Sequence, residues 1–261
     1  MDIKLNKALQ KLINDKTSGS NELLLSLHKH IKKELKIFQL FPALILELKQ
    51  KFSPFKNIQK YLGDFQVALK KKNKLEKFFN LYDEMLLNIY DNIYSKCKNT
   101  LINYSTFITI SNSTTVFEIF KRLKKDKSHF KVYVSESRPK YEGRILAQKL
   151  AIEKINVQLI TEAMLSEYVK NSDAAIIGAD SILKNGNVIN KVGSNVLAIL
   201  CKHYKIPFYV LADKNKLSNN NSYDKKLMPS DEIWKQNNNI KIINYYFEEI
   251  NKKLITKVFT A

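Results

Sequence analysis

The sequence predicts an α/β protein in two parts. A helical N-terminal domain covers residues 1–102, and a mostly parallel, open α/β domain covers residues 103–261. Three observations carry this reading. Apolar residues recur at three- and four-residue spacing through the first hundred positions, the period of a helix face. From about Asn103, short apolar runs replace that pattern, with helical stretches between most of them. Hydrophobic residues make up 44% of the 261, enough for a real core.

The helical part comes first. "NELLLSLHKHIKKELKIF" (21–38) carries the apolar spacing of one amphipathic helix, and Ser20 or Asn21 is placed to cap it, with Glu22 in its first turn. "KLEKFFNLYDEMLLNIYDNIYSKC" (74–97) repeats the pattern with an aromatic stripe, read as core packing rather than a cofactor box. His28 and His30 are two apart and do not share a helix face, so they make a poor metal pair.

The strands follow: "TFITIS" (106–111), "KVYVSES" (131–137), "VQLIT" (157–161), "AAIIGAD" (174–180) and "PFYVLAD" (207–213). Between them lie the helical stretches "TVFEIFKRLKK", "EGRILAQKLAIEK", "MLSEYVKN" and "SNVLAILCKHYK". Apolar strand, helix, apolar strand marks a parallel sheet covered on both faces.

Open α/β sheets bind ligands beyond the carboxyl ends of their strands. Here those ends carry Ser111-Asn112-Ser113, Glu136-Ser137-Arg138, Thr161-Glu162, Asp180 and Asp213. Each also suits a helix cap, and capping is the expectation for Thr161 and Asp213. Arg138 precedes Pro139, which restricts its backbone to extended values and aims a cation at the rim. Asp180 follows Gly178, which allows close approach of a ligand to the backbone. Three of the six glycines fall in "GADSILKNGNVINKVGS" (178–194). Gly186 suits a positive-φ turn in "KNGN", and Gly193 opens a helix whose free N–H groups favour phosphate. With Lys191 just before it, the expectation is an anion site built from Arg138, Lys191 and the backbone after Gly193. Neither GxGxxG nor a P-loop is present, so a dinucleotide or Walker site has no support.

The formal charge is +19, from 44 basic and 25 acidic residues. Such an excess points either to polyanionic partners or to solvated lysine faces. Only a handful of the basic residues are arginine, runs such as Lys70-Lys71-Lys72 are short, and no nucleic-acid motif accompanies them, so solvated faces are the expectation. Cys97 and Cys201 are too few for a disulfide framework and lack metal-ligand spacing. No long apolar run or apolar leader stands out, and a cytoplasmic protein without membrane contact, cofactor or metal is expected.

"VSESRPKYEGRILAQKL", "GADSILKNGNVINKVGSNVLAILCKHYKIPFYVLADKNK" and "NYYFEEI" resemble the initiation factor 2B alpha/beta/delta family, which includes ribose-1,5-bisphosphate and methylthioribose-1-phosphate isomerases. The resemblance runs from about Thr106 to the C-terminus, and "DKTSGSNELL", with Gly19 and Ser20, looks more loosely like the N-terminal loop of archaeal and bacterial members. It implies a Rossmann-like C-terminal domain and a homodimer or hexamer, an expectation to which the apolar tail "LITKVFTA" adds. It implies a phosphorylated sugar or nucleotide as ligand, with Arg138, Arg144, Asn190, Lys191 and Lys216 matching substrate-binding positions and Asp180 the catalytic acid. The isomerases have a His-Cys pair where this chain has Ile110-Ser111.

That departure bears on chemistry. Aldose-to-ketose conversion opens a ring and moves a hydrogen from C2 to C1. A carboxyl with a raised pKa can serve half of that proton traffic. A thiol, with pKa about 8.5, can serve the other half near neutrality, and a serine hydroxyl serves it poorly without a base beside it. Two readings follow: a sugar-phosphate isomerase, or a non-catalytic translation-factor-like subunit or sensor that retains the pocket.

Overall fold

The computed structural model describes residues 7–15, 18–71, 74–235 and 240–261. Lys16 and Thr17 of the N-terminal motif, and Lys72 of the lysine run, lie outside them. The chain divides into two compact units, Met1–Ile89 and Tyr90–Ala261.

The first unit is helical: α1 (Lys7–Asn14), α2 (Ser20–Lys33), α3 (Leu35–Leu40), α4 (Ala43–Lys51), α5 (Lys56–Leu69) and the start of α6 (Leu75–Leu101). Leu27, Ile31, Phe38, Ile45, Leu48, Ile58 and Phe65 are fully buried together. The aromatic stripe of α6 is core, as its period requires: Tyr61 packs on Phe78 and Tyr82 with ring centroids 5.2 and 4.8 Å apart. Two local expectations fail. The stretch 21–38 is two helices, with the break at Glu34. Neither Ser20 nor Asn21 caps α2, because the helix starts one residue early and Gly19 takes the cap position. Asn21 instead accepts a hydrogen bond from Asn57 Nδ2 at 2.7 Å.

The second unit is built on a six-stranded parallel sheet in the order β3-β2-β1-β4-β7-β9. Its strands are β1 (Thr106–Ile110), β2 (Lys131–Ser135), β3 (Asn156–Ile160), β4 (Ala174–Ile177), β7 (Phe208–Ala212) and β9 (Lys257–Thr260). Helices α7 (Thr114–Asp126), α8 (Glu142–Ile152), α9 (Leu165–Lys170) and α10 (Ser194–Tyr204) connect them. The four inner strands are almost wholly buried, as their unbroken apolar runs require. β3 is an edge strand, and Leu159 is exposed there.

Two features were not anticipated. "LITKVFTA" does not lie open as an apolar surface: β9 pairs with β7 and buries Phe259. A small antiparallel sheet, β5 (Ser181–Ile182), β6 (Val188–Lys191) and β8 (Phe247–Ile250), sits after β4. Its first turn follows expectation, with Gly186 at φ 88° and its N–H donating to the Leu183 carbonyl at 2.9 Å. No helix among the described residues is long and apolar enough to cross a membrane.

Candidate functional site

Strand order reverses between β1 and β4, and such a switch point opens a crevice at the carboxyl edge of a sheet. Phe107 pairs with Ala174 and Ile108 with Ala175, so Ser111 and Gly178 leave the sheet at one level on adjacent strands. Ser111 and Asp180 therefore flank the switch point. Ser111 has φ 68° and its N–H donates to Ser137 Oγ at 2.7 Å. Ser137, at the end of β2, also has φ 68°, and its N–H donates to Glu162 Oε1 at 2.6 Å. Left-handed backbone at two serines on neighbouring strand ends is held only where the surroundings enforce it, and it concentrates at functional sites.

Asp180 is not a cap. The Leu183 N–H goes to the Asn187 carbonyl, and the Asp180 carboxyl makes no hydrogen bond among the described residues. It keeps some exposed surface, yet protein crowds the carboxyl itself. That desolvation raises its pKa against the opposing pull of Lys216 and Lys191. Both lysines are buried. Lys216 Nζ donates to the Ala179 carbonyl, one residue before Asp180. The short turn that carries Lys216 is capped by Asp213, which accepts from Asn215 N–H at 3.0 Å, as expected for Asp213. Thr161 stands at a cap position, but its hydroxyl caps nothing.

Lys191, at the end of β6, forms a buried ion pair with Glu142 Oε1 and lies 4.5 Å from the Tyr246 ring centroid. Glu142 Oε2 is buried without a hydrogen-bond partner among the described residues. Asn190 Nδ2 donates to Ser194 Oγ at 2.9 Å. Arg144 is held by Glu136 and stacks 4.1 Å from the Tyr141 ring. Arg138 also lies over that ring, 4.8 Å from its centroid, and donates to the Tyr141 hydroxyl and the Ile233 carbonyl. Tyr141 has φ 58°, and Gly143 behind it is obligatory because a Cβ would overlap the Ser135 carbonyl oxygen.

The expected anion site is not assembled as read. Lys191 is neutralised by Glu142 while Arg138 is exposed and bonded elsewhere. Of the first-turn amides of α10, that of Asn195 is filled by Glu248 Oε1 at 2.8 Å. Gly193 is required for other reasons: φ is 96°, and a Cβ would sit 2.7 Å from Ile110 Cδ1. Gly178 likewise makes room for the Ser113 side chain, which caps α7, rather than for a ligand. Cys97 and Cys201 supply no thiolate here, since burial pushes each thiol up to about 12. Gly19 and Ser20 belong to the first unit, where the Ser20 side chain is buried.

Sequence reasoning missed Glu142, Tyr141 and Tyr246. Glu142 had a signal, a carboxylate directly before an in-helix glycine, but nothing local announced that Lys191 is its partner. Tyr223 also senses Asp180: burial first, then the carboxylate's charge, raises its pKa.

A model of the "Initiation factor 2 subunit family" matches residues 1–261. A "Putative translation initiation factor eIF-2B subunit 2-like" of Pyrococcus furiosus is 47% identical over 109 residues, 42% of this chain and 40% of that protein. A "Ribose 1,5-bisphosphate isomerase" of Methanocaldococcus jannaschii is 28% identical over 163 residues, 61% of this chain and 52% of that protein. The matched stretch thus spans about half or less of these relatives' length. The fold is similar to that of the Pyrococcus horikoshii OT3 translation initiation factor eIF-2B. The TM-score is 0.77 at 24% identity, covering 97% of this chain and 93% of that one.

Proposed function

The chain belongs to the Initiation factor 2 subunit family, and on that premise we propose that it binds a phosphorylated sugar at the β1/β4 switch point and isomerises it slowly. The observation that carries the reading is the setting of Asp180: a carboxyl at the switch point, its pKa raised, with Lys191 and Lys216 as its charged neighbours. A carboxyl whose pKa is raised there can give a proton to the ring oxygen as the C1–O bond opens. Lys191, Lys216, Asn190, Arg138 and Arg144 supply charge and hydrogen bonds for phosphate and hydroxyl groups, once Lys191 exchanges Glu142 for a ligand oxygen. Gly19 and Ser20 are included in the proposal on the resemblance alone. Ser111 is placed to move the second proton and is a weak group for it.

The second reading, a non-catalytic subunit or ligand sensor, is favoured by Ser111 itself and by the name of the 47% identical relative. Conversion of ribose 1,5-bisphosphate to ribulose 1,5-bisphosphate separates the two. The slow-enzyme reading expects weak wild-type turnover, raised by Ser111→Cys, within the roughly 100- to 10,000-fold range of a general acid–base group. Binding without turnover in either protein selects the sensor, and absence of binding removes the sugar-phosphate pocket and leaves only the fold.

A further inference from the structure

A cavity of about 470 Å³ lies far from this site, at the opposite edge of the sheet. Its wall is Ile206 and Pro207 before β7, the C-terminal end of α10, and Leu254, Ile255 and Thr256 before β9. Parallel strands place these segments at the amino edge, whereas Asp180 follows the carboxyl end of β4. The volume suits a small molecule. Three lysines, Lys202, Lys205 and Lys253, stand around the apolar wall. All three are exposed, and none makes an ion pair among the described residues.

The backbone N–H groups of the wall are already used. Ile206 N–H donates to the Cys201 carbonyl at 2.8 Å, and Thr256 N–H donates to the Phe208 carbonyl at 2.9 Å. The Thr256 hydroxyl accepts from Phe208 N–H at 2.9 Å. No backbone N–H of these residues is left to donate to a base or a sugar, and the wall carries no aromatic ring for stacking. What remains is an aliphatic surface fringed by free ammonium groups. Lys202, in the last turn of α10, also compensates the helix dipole, but Lys205 and Lys253 lie outside that helix.

We infer that this cavity is a second ligand site, for an aliphatic carboxylate whose chain packs on Ile206, Leu254 and Ile255 while its head group meets the three lysines. The site is separate from the sugar-phosphate proposal and stands or falls without it. The test is titration of the whole chain with hexanoate, octanoate and decanoate, followed by calorimetry and by methyl NMR of the isoleucines and leucines. Affinity is expected to rise about fourfold for each added methylene that is buried. The shifts are expected at Ile206, Leu254 and Ile255. The triple variant K202Q/K205Q/K253Q changes only exposed side chains, so it leaves the fold intact, and it is expected to weaken decanoate at least tenfold. Decanol, with the same chain and no charge, is expected to bind correspondingly more weakly. Four results would overturn the inference: no saturable decanoate binding, shifts confined to other methyls, decanol binding as tightly as decanoate, or an unaltered affinity in the triple variant.

Discussion

Lys191 and Glu142 are each about 6% exposed in their side chains, and they bond to one another deep beside Tyr246. Removing one partner strands the other. Lys191→Met leaves a buried carboxylate whose second oxygen already has no hydrogen-bond partner among the described residues. Glu142→Leu leaves a buried ammonium. Breaking such a pair costs about 3–5 kcal/mol, a large share of the roughly 5–15 kcal/mol that holds a domain folded. At about 2–4 °C per kcal/mol for a chain of this size, each single variant should unfold about 6–20 °C lower. The double variant Glu142→Leu/Lys191→Met removes both charges and fills a similar volume, so it should regain most of that loss. Denaturant unfolding of the four proteins gives the coupling, and calorimetry with ribose 1,5-bisphosphate gives the function. The expected double variant is stable and does not bind. Single variants that each cost less than about 1 kcal/mol would show the pair to be solvated, as surface pairs are. A stable double variant that still binds the sugar phosphate would show Lys191 to be structural only.

Asp180 gives a second outcome with a defined pH sense. Its folded pKa is raised, so the folded state holds that proton more tightly than the unfolded chain does. The protein is therefore relatively stabilised below the ordinary aspartate range and loses that contribution as pH rises through the raised value. Asp180→Asn should raise the unfolding midpoint near neutral pH, at about 2–4 °C per kcal/mol gained, with no gain below the ordinary aspartate pKa, while activity disappears. An equal gain at all pH values would contradict the burial argument. Gly143→Ala drives a methyl into the Ser135 carbonyl and should cost more than the roughly 1–3 kcal/mol of ordinary overpacking; a midpoint within error of wild type would refute that contact. A dimer or hexamer is expected in solution, consistent with Val196 and Ile199 exposed one turn apart on α10; a monomer by light scattering at micromolar concentration would end that expectation.

The sequence by itself determined the two architectures and which polar residues would stand at the carboxyl edge of the sheet. Helical spacing before about Asn103 and short apolar runs after it are local patterns, and burial on one face or both writes them directly into residue order. The rim residues were legible for the same reason: a parallel strand ends in one direction, so Ser111, Arg138 and Asp180 had to emerge on one edge. Only the tertiary structure decided which groups meet there. Lys191 and Glu142 are 49 positions apart, and Glu248 reaches the Asn195 amide across 53. No local period encodes such a pairing, which depends on how separate elements pack. The same holds for β9 and for the sheet of β5, β6 and β8, whose strands of two to four residues are too short to show a period and exist only because a partner strand accepts their hydrogen bonds. Glycine shows the division most plainly. Composition marked Gly178 and Gly193 as special, but the neighbours that demand them, Ser113 and Ile110, come from another strand's end. What a missing side chain makes room for is decided by whatever the fold brings against it.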